Sequence, residues 1–191
     1  MTPPNYLFPL FLKLSGRSVL VVGAGPVAAS KLGALVEAGA EIHVVAPHVD
    51  PAIEEMGVRI SRRVFRPSDL DQTWLAVAAA TPDANRQVAE EAELRQIFVN
   101  AVDDPSHASA YLGGVTRRAG VTFAVSTDGK APALAGLLRE GLDAALPAAD
   151  LEAWVAEAKE MRTRWRREQV PMTDRRPELL RALMKRYDIG N

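Results

Sequence analysis

Apolar and polar positions along the chain fall into short alternating blocks. Ser18-Val-Leu-Val-Val22 is a β-branched apolar run ending at Gly23, the pattern of a strand buried on both faces. The next block, Val27 to Ala38, places Val27, Leu32, Leu35 and Val36 at helical spacing and ends at Gly39. A second strand is predicted over Glu41–Val45, stopped by Ala46-Pro47. A third, shorter one is read from Val58-Arg-Ile60 and Val64-Phe65, and a fourth from Leu75–Ala80. Thr81-Pro-Asp83 then opens a helix to about Gln96, and Ile97–Asn100 is a fifth strand. Strand and helix in alternation imply βαβ units, hence a parallel sheet with right-handed crossovers.

After Pro105 the pattern changes. Val121–Ser126 reads as one more strand and Thr127–Lys130 as a turn. Ala131–Leu146 reads as a helix carrying Leu134, Leu137, Leu138, Leu142 and Leu146 on an apolar stripe. Two further helices are predicted at about Leu151–Gln169 and Pro177–Tyr187. The expected class is α/β: a Rossmann-like parallel sheet over 1–112, a dimerisation segment over 113–147 and a helical C-terminal domain over 148–191. Self-association is expected because a strand and an apolar helix appended to a finished sheet have no partner within one chain.

Composition narrows the chemistry. The 191 residues hold 23 Lys and Arg against 24 Asp and Glu, a net charge of −1, which argues against a nucleic-acid binder. Residues 1–150 are net −4, whereas 151–191 are net +3 and hold two of the three Trp, Trp154 and Trp165. With no cysteine, disulfides, thiolate nucleophiles and Cys-ligated metals are excluded. Three scattered His (His43, His48, His107) make a His cage improbable, and no metal site is expected. No apolar run approaches a membrane span. The start, Met1-Thr-Pro-Pro-Asn5, lacks the basic region of a signal peptide. A cytoplasmic protein is therefore expected.

Gly23-Ala-Gly25-Pro-Val-Ala28 fits G-x-G-x-x-[GA] between a strand and a helix, the setting a dinucleotide site requires. Gly23 permits the tight turn, Gly25 lets backbone approach a pyrophosphate, and Ala28 keeps helix and strand close. Pro26 sits where its missing N–H costs nothing, and the helix N-terminus, with Val27, faces the phosphates. The second strand ends in Pro47 and His48, beside the adenosine, with no Asp or Glu for the ribose and no adjacent Arg for a 2′-phosphate; Asp50 comes late. Spacing alone does not choose between NAD and NADP.

Pro9-Leu-Phe-Leu12, Val19–Ala28, Lys31, Gly39-Ala40 and Val44–Pro47 resemble the start of the precorrin-2 dehydrogenase and sirohydrochlorin ferrochelatase family, the N-terminal module of siroheme synthases. Asn100-Ala-Val-Asp103-Asp-Pro105, Ala124–Thr127, Gly129, Pro132, Leu134-Ala135 and Leu137–Glu140 resemble its central and dimerisation segments. The likeness runs in order over about residues 7–147; the tail matches in type and length more than in residues. It implies NAD as cofactor, homodimerisation, and oxidation of precorrin-2 to sirohydrochlorin on the way to siroheme and, in some organisms, cobalamin. Some relatives also insert ferrous iron as a second substrate.

The resemblance puts the family's key aspartate on Asp103, as a base or as a holder of pyrrole N–H groups. The plain reading is that Asp103 or Asp104 caps the turn before Pro105, and Asp104 is left as that cap. Asn100 is read as orienting Asp103 or the nicotinamide, or as a strand-end hydrogen bond. Ser126 and Thr127 are candidates for a substrate carboxylate, against a turn cap. Thr127 stands where the family often has Ser, and Ala131 where it has Ser or Thr, which weakens any hydroxyl role in metal insertion. The tail arginines, Arg162 and Arg166 foremost, suit a polycarboxylate substrate, against a solvated face. His107 reads more simply as a surface residue. The rival class is a dinucleotide-sensing regulatory Rossmann protein without catalysis, but such proteins usually carry an acid after the second strand and have no use for Asn100-x-x-Asp103. An ordinary alcohol dehydrogenase would need a Tyr-x-x-x-Lys pair, and Tyr6, Tyr111 and Tyr187 all lack the Lys.

Overall fold

The structure is a computed structural model and describes residues 6–185. The chain divides into two compact units: the described residues up to Leu112 together with Asp128–Lys130, and Gly113–Thr127 together with the residues from Ala131 onward.

The first unit is a five-stranded parallel sheet in the order β3-β2-β1-β4-β5. Its strands are β1 (Ser18–Val22), β2 (Glu41–Val45), β3 (Arg59–Ser61), β4 (Leu75–Ala78) and β5 (Phe98–Ala101). The helices are α1 (Pro26–Glu37), the single turn α2 (Pro51–Glu54) and α3 (Pro82–Leu94). β1 lies at the centre because all of Val19–Val22 is apolar and both faces can be covered. Val19 and Val21 pack with Leu32 and Leu35 of α1 on one face, while Leu20 and Val22 pack with Val88 and Ala92 of α3 on the other. The chain order reverses between β1 and β4, and that switch point opens a crevice at the carboxyl ends of the strands.

One reading needs correction here. Val64-Phe65 is not strand; Phe65 leaves the sheet and fills the core beside Leu20 and Leu70. The link from β3 to β4 includes a 3₁₀ turn over Pro67–Leu70, held by Asp69. Asp69 accepts two bonds from the Arg63 guanidinium at 2.6 and 2.7 Å and one from the Arg66 N–H at 2.9 Å. The Arg63 hydrogen bonds hold its carboxyl below the usual carboxylate range. The helix α2 was hidden in the sequence by its length, although Asp50-Pro51 marks its start: Asp50 Oδ1 accepts the Ala52 N–H at 2.9 Å.

The second unit pairs β6 (Gly114–Arg118) antiparallel to β7 (Val121–Val125), with α4 (Pro132–Ala145), α5 (Ala148–Arg167) and α6 (Met172–Lys185). β6 was absent from the sequence pattern, because Gly114 and the charged Arg117-Arg118 interrupt its alternation. α6 begins earlier than Pro177, which sits inside it, and Tyr187 lies outside the described residues. Ala119 and Gly120 join the hairpin with φ of +50° and +78°, the signature of a two-residue primed turn that matches strand twist. Gly tolerates this; Ala does so only against a Cβ clash. Ala119→Asn is therefore expected to raise the thermal midpoint by roughly 1–4 °C, about 0.5–1 kcal/mol, read by calorimetry. An unchanged or lower midpoint would show that the turn is not strained.

Candidate functional site

The glycine turn occupies the switch point. Gly23 has φ +100° and donates its N–H to Val45 O at 3.0 Å. A Cβ on Gly23 would overlap the Ala79 carbonyl, so the chain leaving β1 and the chain leaving β4 touch backbone to backbone. Neighbours hold each side of this junction. The Ala80 N–H is accepted by buried Asn85 Oδ1 at 2.8 Å, and the Asp50 N–H is donated to Ala24 O at 2.9 Å. Asn85 escaped sequence reading; the signal was an amide one turn into a helix capped by Thr81.

Gly25 differs. Its φ of −91° is open to any residue, and a Cβ there would meet nothing within 4 Å. The backbone therefore does not require glycine, and the bare Cα borders open space at the N-terminus of α1. Pro26 is the first helical residue, no side chain caps the end, and no acidic residue stands in the first turn. The N–H groups of Val27 and Ala28 have no acceptor within the helix, and they join the positive end of the helix dipole. Pro26 and Val27 are exposed, whereas Ala28 is buried against the sheet. This cradle fits a dinucleotide pyrophosphate: donors without a competing carboxylate, and room where a side chain would stand.

Pro47 and His48 follow β2 and are exposed at the same carboxyl edge. Asp50, the first acid behind β2, accepts the Ala52 N–H at the start of α2 on Oδ1. Asn100 lies in β5, buried, and donates from Nδ2 to Ala110 O at 2.9 Å, a hydrogen bond at the strand's end.

Beyond β5 the chain folds back on the sheet edge. Ser109 Oγ accepts the Val99 N–H at 2.8 Å, and the N–H groups of Ser109 and Ala110 both reach Val99 O at 2.9 Å. The residues between are thus held in a short closed loop, a role of Ser109 that the sequence did not show. Inside it, Asp103 and Asp104 part company. Asp104 Oδ1 accepts the Ser106 hydroxyl at 2.6 Å, and Oδ2 lies 2.7 Å from His107 Nδ1. The Ser106 hydroxyl first, and His107 second, hold its carboxyl below the ordinary range. Asp104 is the cap. Asp103 is exposed, has φ +58°, and its carboxylate makes no hydrogen bond or ion pair among the described residues. A non-glycine residue in the left-handed region carries a steric cost, least for Asp and Asn. The turn Asp128–Lys130 packs on this loop, with Gly129 at φ +72°; a Cβ there would come within 3.2 Å of the Tyr111 ring and 3.3 Å of Pro105.

In the second unit, Thr127 Oγ1 accepts the Ala131 N–H at 3.2 Å, so this hydroxyl caps the start of α4. Ser126 is exposed beside it. Arg162 and Arg166, one turn apart on α5, are exposed, opposite buried Met161 and Trp165. Among the described residues no group of three His, Asp or Glu could hold a metal ion, and no helix is long and apolar enough to cross a membrane.

The first unit is thereby defined as a dinucleotide-binding domain of Rossmann type. A family profile described as putative NAD(P)-binding matches residues 10–114, more than half of the sequence, and the chain belongs to that family. Among its curated relatives are siroheme synthases. One from Aeromonas hydrophila subsp. hydrophila is 40% identical over 177 residues, covering 90% of this chain and 37% of that protein. One from Neisseria meningitidis serogroup C is 41% identical over 167 residues, covering 85% and 33%. The chain thus spans about a third of the length of these curated relatives. The solved structure of SirC, a precorrin-2 dehydrogenase, matches with a TM-score of 0.69 and 26% identity, over 92% of this chain and 88% of that one. The family resemblance carried by the motifs is borne out.

Gly25→Asp tests the cradle. Backbone and space both tolerate the side chain, so the fold should persist. A carboxylate against the pyrophosphate should weaken NAD binding by about 100-fold or more in calorimetric titration. Parental affinity would place the nucleotide elsewhere.

Proposed function

We propose that this chain oxidises precorrin-2 to sirohydrochlorin with NAD as acceptor, in the cytoplasm, on the route to siroheme. The observation that carries the reading is the contrast within Asp103-Asp104. One carboxylate is consumed by its own turn; its neighbour is held in a strained, exposed conformation at the carboxyl edge of a dinucleotide-binding sheet. Strained residues cluster where function requires them. The Asn100-x-x-Asp103 motif, through which the chain resembles the precorrin-2 dehydrogenase family, supports the same residue.

NAD supplies the hydride acceptor. The cradle at Gly23, Gly25, Pro26 and Val27 holds its pyrophosphate, with Pro47 and His48 along the adenosine, and Asn100 steadies the end of β5 beside it. Loss of hydride from a tetrapyrrole carbon leaves a cation that must also lose a proton. Asp103 takes that proton, or holds the pyrrole N–H groups while it leaves, and its exposed carboxylate needs no rearrangement to do so. Ser126, Thr127, Arg162 and Arg166 are proposed contacts for the substrate's carboxylates; the free guanidinium groups of Arg162 and Arg166 suit this better than the Thr127 hydroxyl, which already caps α4. Iron insertion, where it occurs, would take ferrous iron as a substrate and make the same demand on Asp103, since the pyrroles must lose protons before a metal enters.

The chain is further proposed to work as a homodimer through residues 113–147, with the segment over 148–191, which includes α5 and α6, following as a separate functional part. Leu134, Leu137, Leu138 and Leu142 of α4 are 36–66% exposed, a stripe of apolar surface that a soluble chain ordinarily covers. Light scattering at micromolar concentration should give twice the chain mass; a monomer would count against the assignment.

Asp103→Asn is the informative variant, because Asn keeps the left-handed backbone that Ala would strain. It should retain fold and NAD affinity and lose turnover of precorrin-2 by on the order of 10²–10⁴-fold, followed by sirohydrochlorin absorbance. Asp104→Ala should cost stability and little rate. An Asp103→Asn protein of near-parental rate would leave Asp103 as a turn residue.

A further inference from the structure

We propose that Arg62 receives the adenosine 2′-phosphate of NADP, so that this chain takes the phosphorylated dinucleotide as well as NAD. The inference rests on the dinucleotide reading and deepens it. In a Rossmann domain the adenosine ribose reaches the end of the second strand. An acid there favours the free 2′-hydroxyl of NAD, and a nearby arginine accommodates the phosphate of NADP.

Here β2 is followed by Ala46, Pro47 and His48, none of them acidic. The next acid, Asp50, lies five residues beyond β2, its Oδ1 accepting the Ala52 N–H and its own N–H donated to Ala24 O. The sheet then brings in what the linear sequence keeps apart. β3 runs parallel to β2 with Val45 opposite Ser61, and the Ala46 N–H is donated to Ser61 O at 3.2 Å. Arg62, the next residue, therefore stands level with the end of β2. Two arginines follow β3, but Arg63 is taken: its fork closes on Asp69, and Nη1 also reaches Val64 O at 3.0 Å.

Arg62 is the adaptable one. Its guanidinium pairs with Glu54 of α2, and both side chains are about half exposed, at 58% and 46%. Such a surface pair contributes little, because water competes for both charges and two long side chains must be ordered. A phosphate offers the same planar fork more negative charge and several acceptor oxygens, and can displace the carboxylate. His48, exposed just beyond the end of β2, offers a further ring N–H in the same region. Glu54 is the opposing group: unpaired, it would repel the phosphate. The balance between Arg62 and Glu54 sets the preference.

Calorimetric titration of NAD and of NADP into the full chain tests this without any turnover. The expected results are an NADP Kd within about tenfold of that for NAD, and loss of roughly 10–100-fold in NADP affinity on Arg62→Ala with NAD unchanged. Glu54→Gln should move NADP the opposite way, tightening it severalfold, which a damaged fold would not do. NADP binding weaker than NAD by about 1000-fold or more would overturn the proposal and leave the dinucleotide site standing. Equal weakening of both nucleotides by Arg62→Ala would do the same. So would weaker NAD binding in Glu54→Gln, which would make Glu54 the ribose acceptor. Failure of the parent to bind either nucleotide would overturn the dinucleotide reading itself.

Discussion

The contact between Gly23 and the Ala79 carbonyl sets the position of everything else in the nucleotide-binding unit. The chains leaving β1 and β4 turn to opposite faces of the sheet from this junction, and there is no room for a Cβ in it. The turn at Gly23 aims α1 so that its N-terminus looks into the crevice, and the bond from its N–H to Val45 O ties the same turn to β2. The supports around it are polar and local: Asn85 on the β4 side, the Asp50 backbone on the β2 side. A dinucleotide cradle is built from backbone, so what matters is that neighbouring backbone be immobilised. Nearly all of the conspicuous side chains in this region serve that end.

The second feature of the site follows from a different economy of structure. The loop after β5 is closed by Ser109 and Asn100, both bonded to backbone, and within it Asp104 supplies the cap. With the loop's own polar demands met by these residues, Asp103 is left outside every local bond while its backbone stays in the left-handed region. The Asp103 carboxylate is thereby left exposed to solvent at the carboxyl edge of the sheet.

Much of this architecture was legible in the chain. β1 and β2 stand where their apolar runs end, at Gly23 and Ala46-Pro47, because a buried parallel strand must be apolar on both faces and must stop at a residue that can turn. The helices after Gly25 and Thr81 begin within a residue of their prolines. What misled was amphipathic or very short. Phe65 is as apolar as a strand residue and serves the core from a loop; β6 carries Arg117 and Arg118, so its pairing with β7 overrides its composition. Burial and pairing are properties of the partner as much as of the segment, and no local pattern contains the partner.

The site divides along the same line. The sequence by itself determined the glycine turn, its helix and the Asn100-x-x-Asp103 motif, because these depend on neighbours within a few residues: φ at Gly23, proline at the first helical position, a carboxylate at a strand end. Only the tertiary structure decided that Asn100 Nδ2 donates to Ala110 O, that Ser109 closes the loop after β5 on Val99, and that Arg62 arrives beside the end of β2. Each of those outcomes turns on hydrogen bonds or strand pairings between residues distant in the chain. A side chain's availability is what remains after such partners have been served, and that remainder is fixed only when the chain has folded.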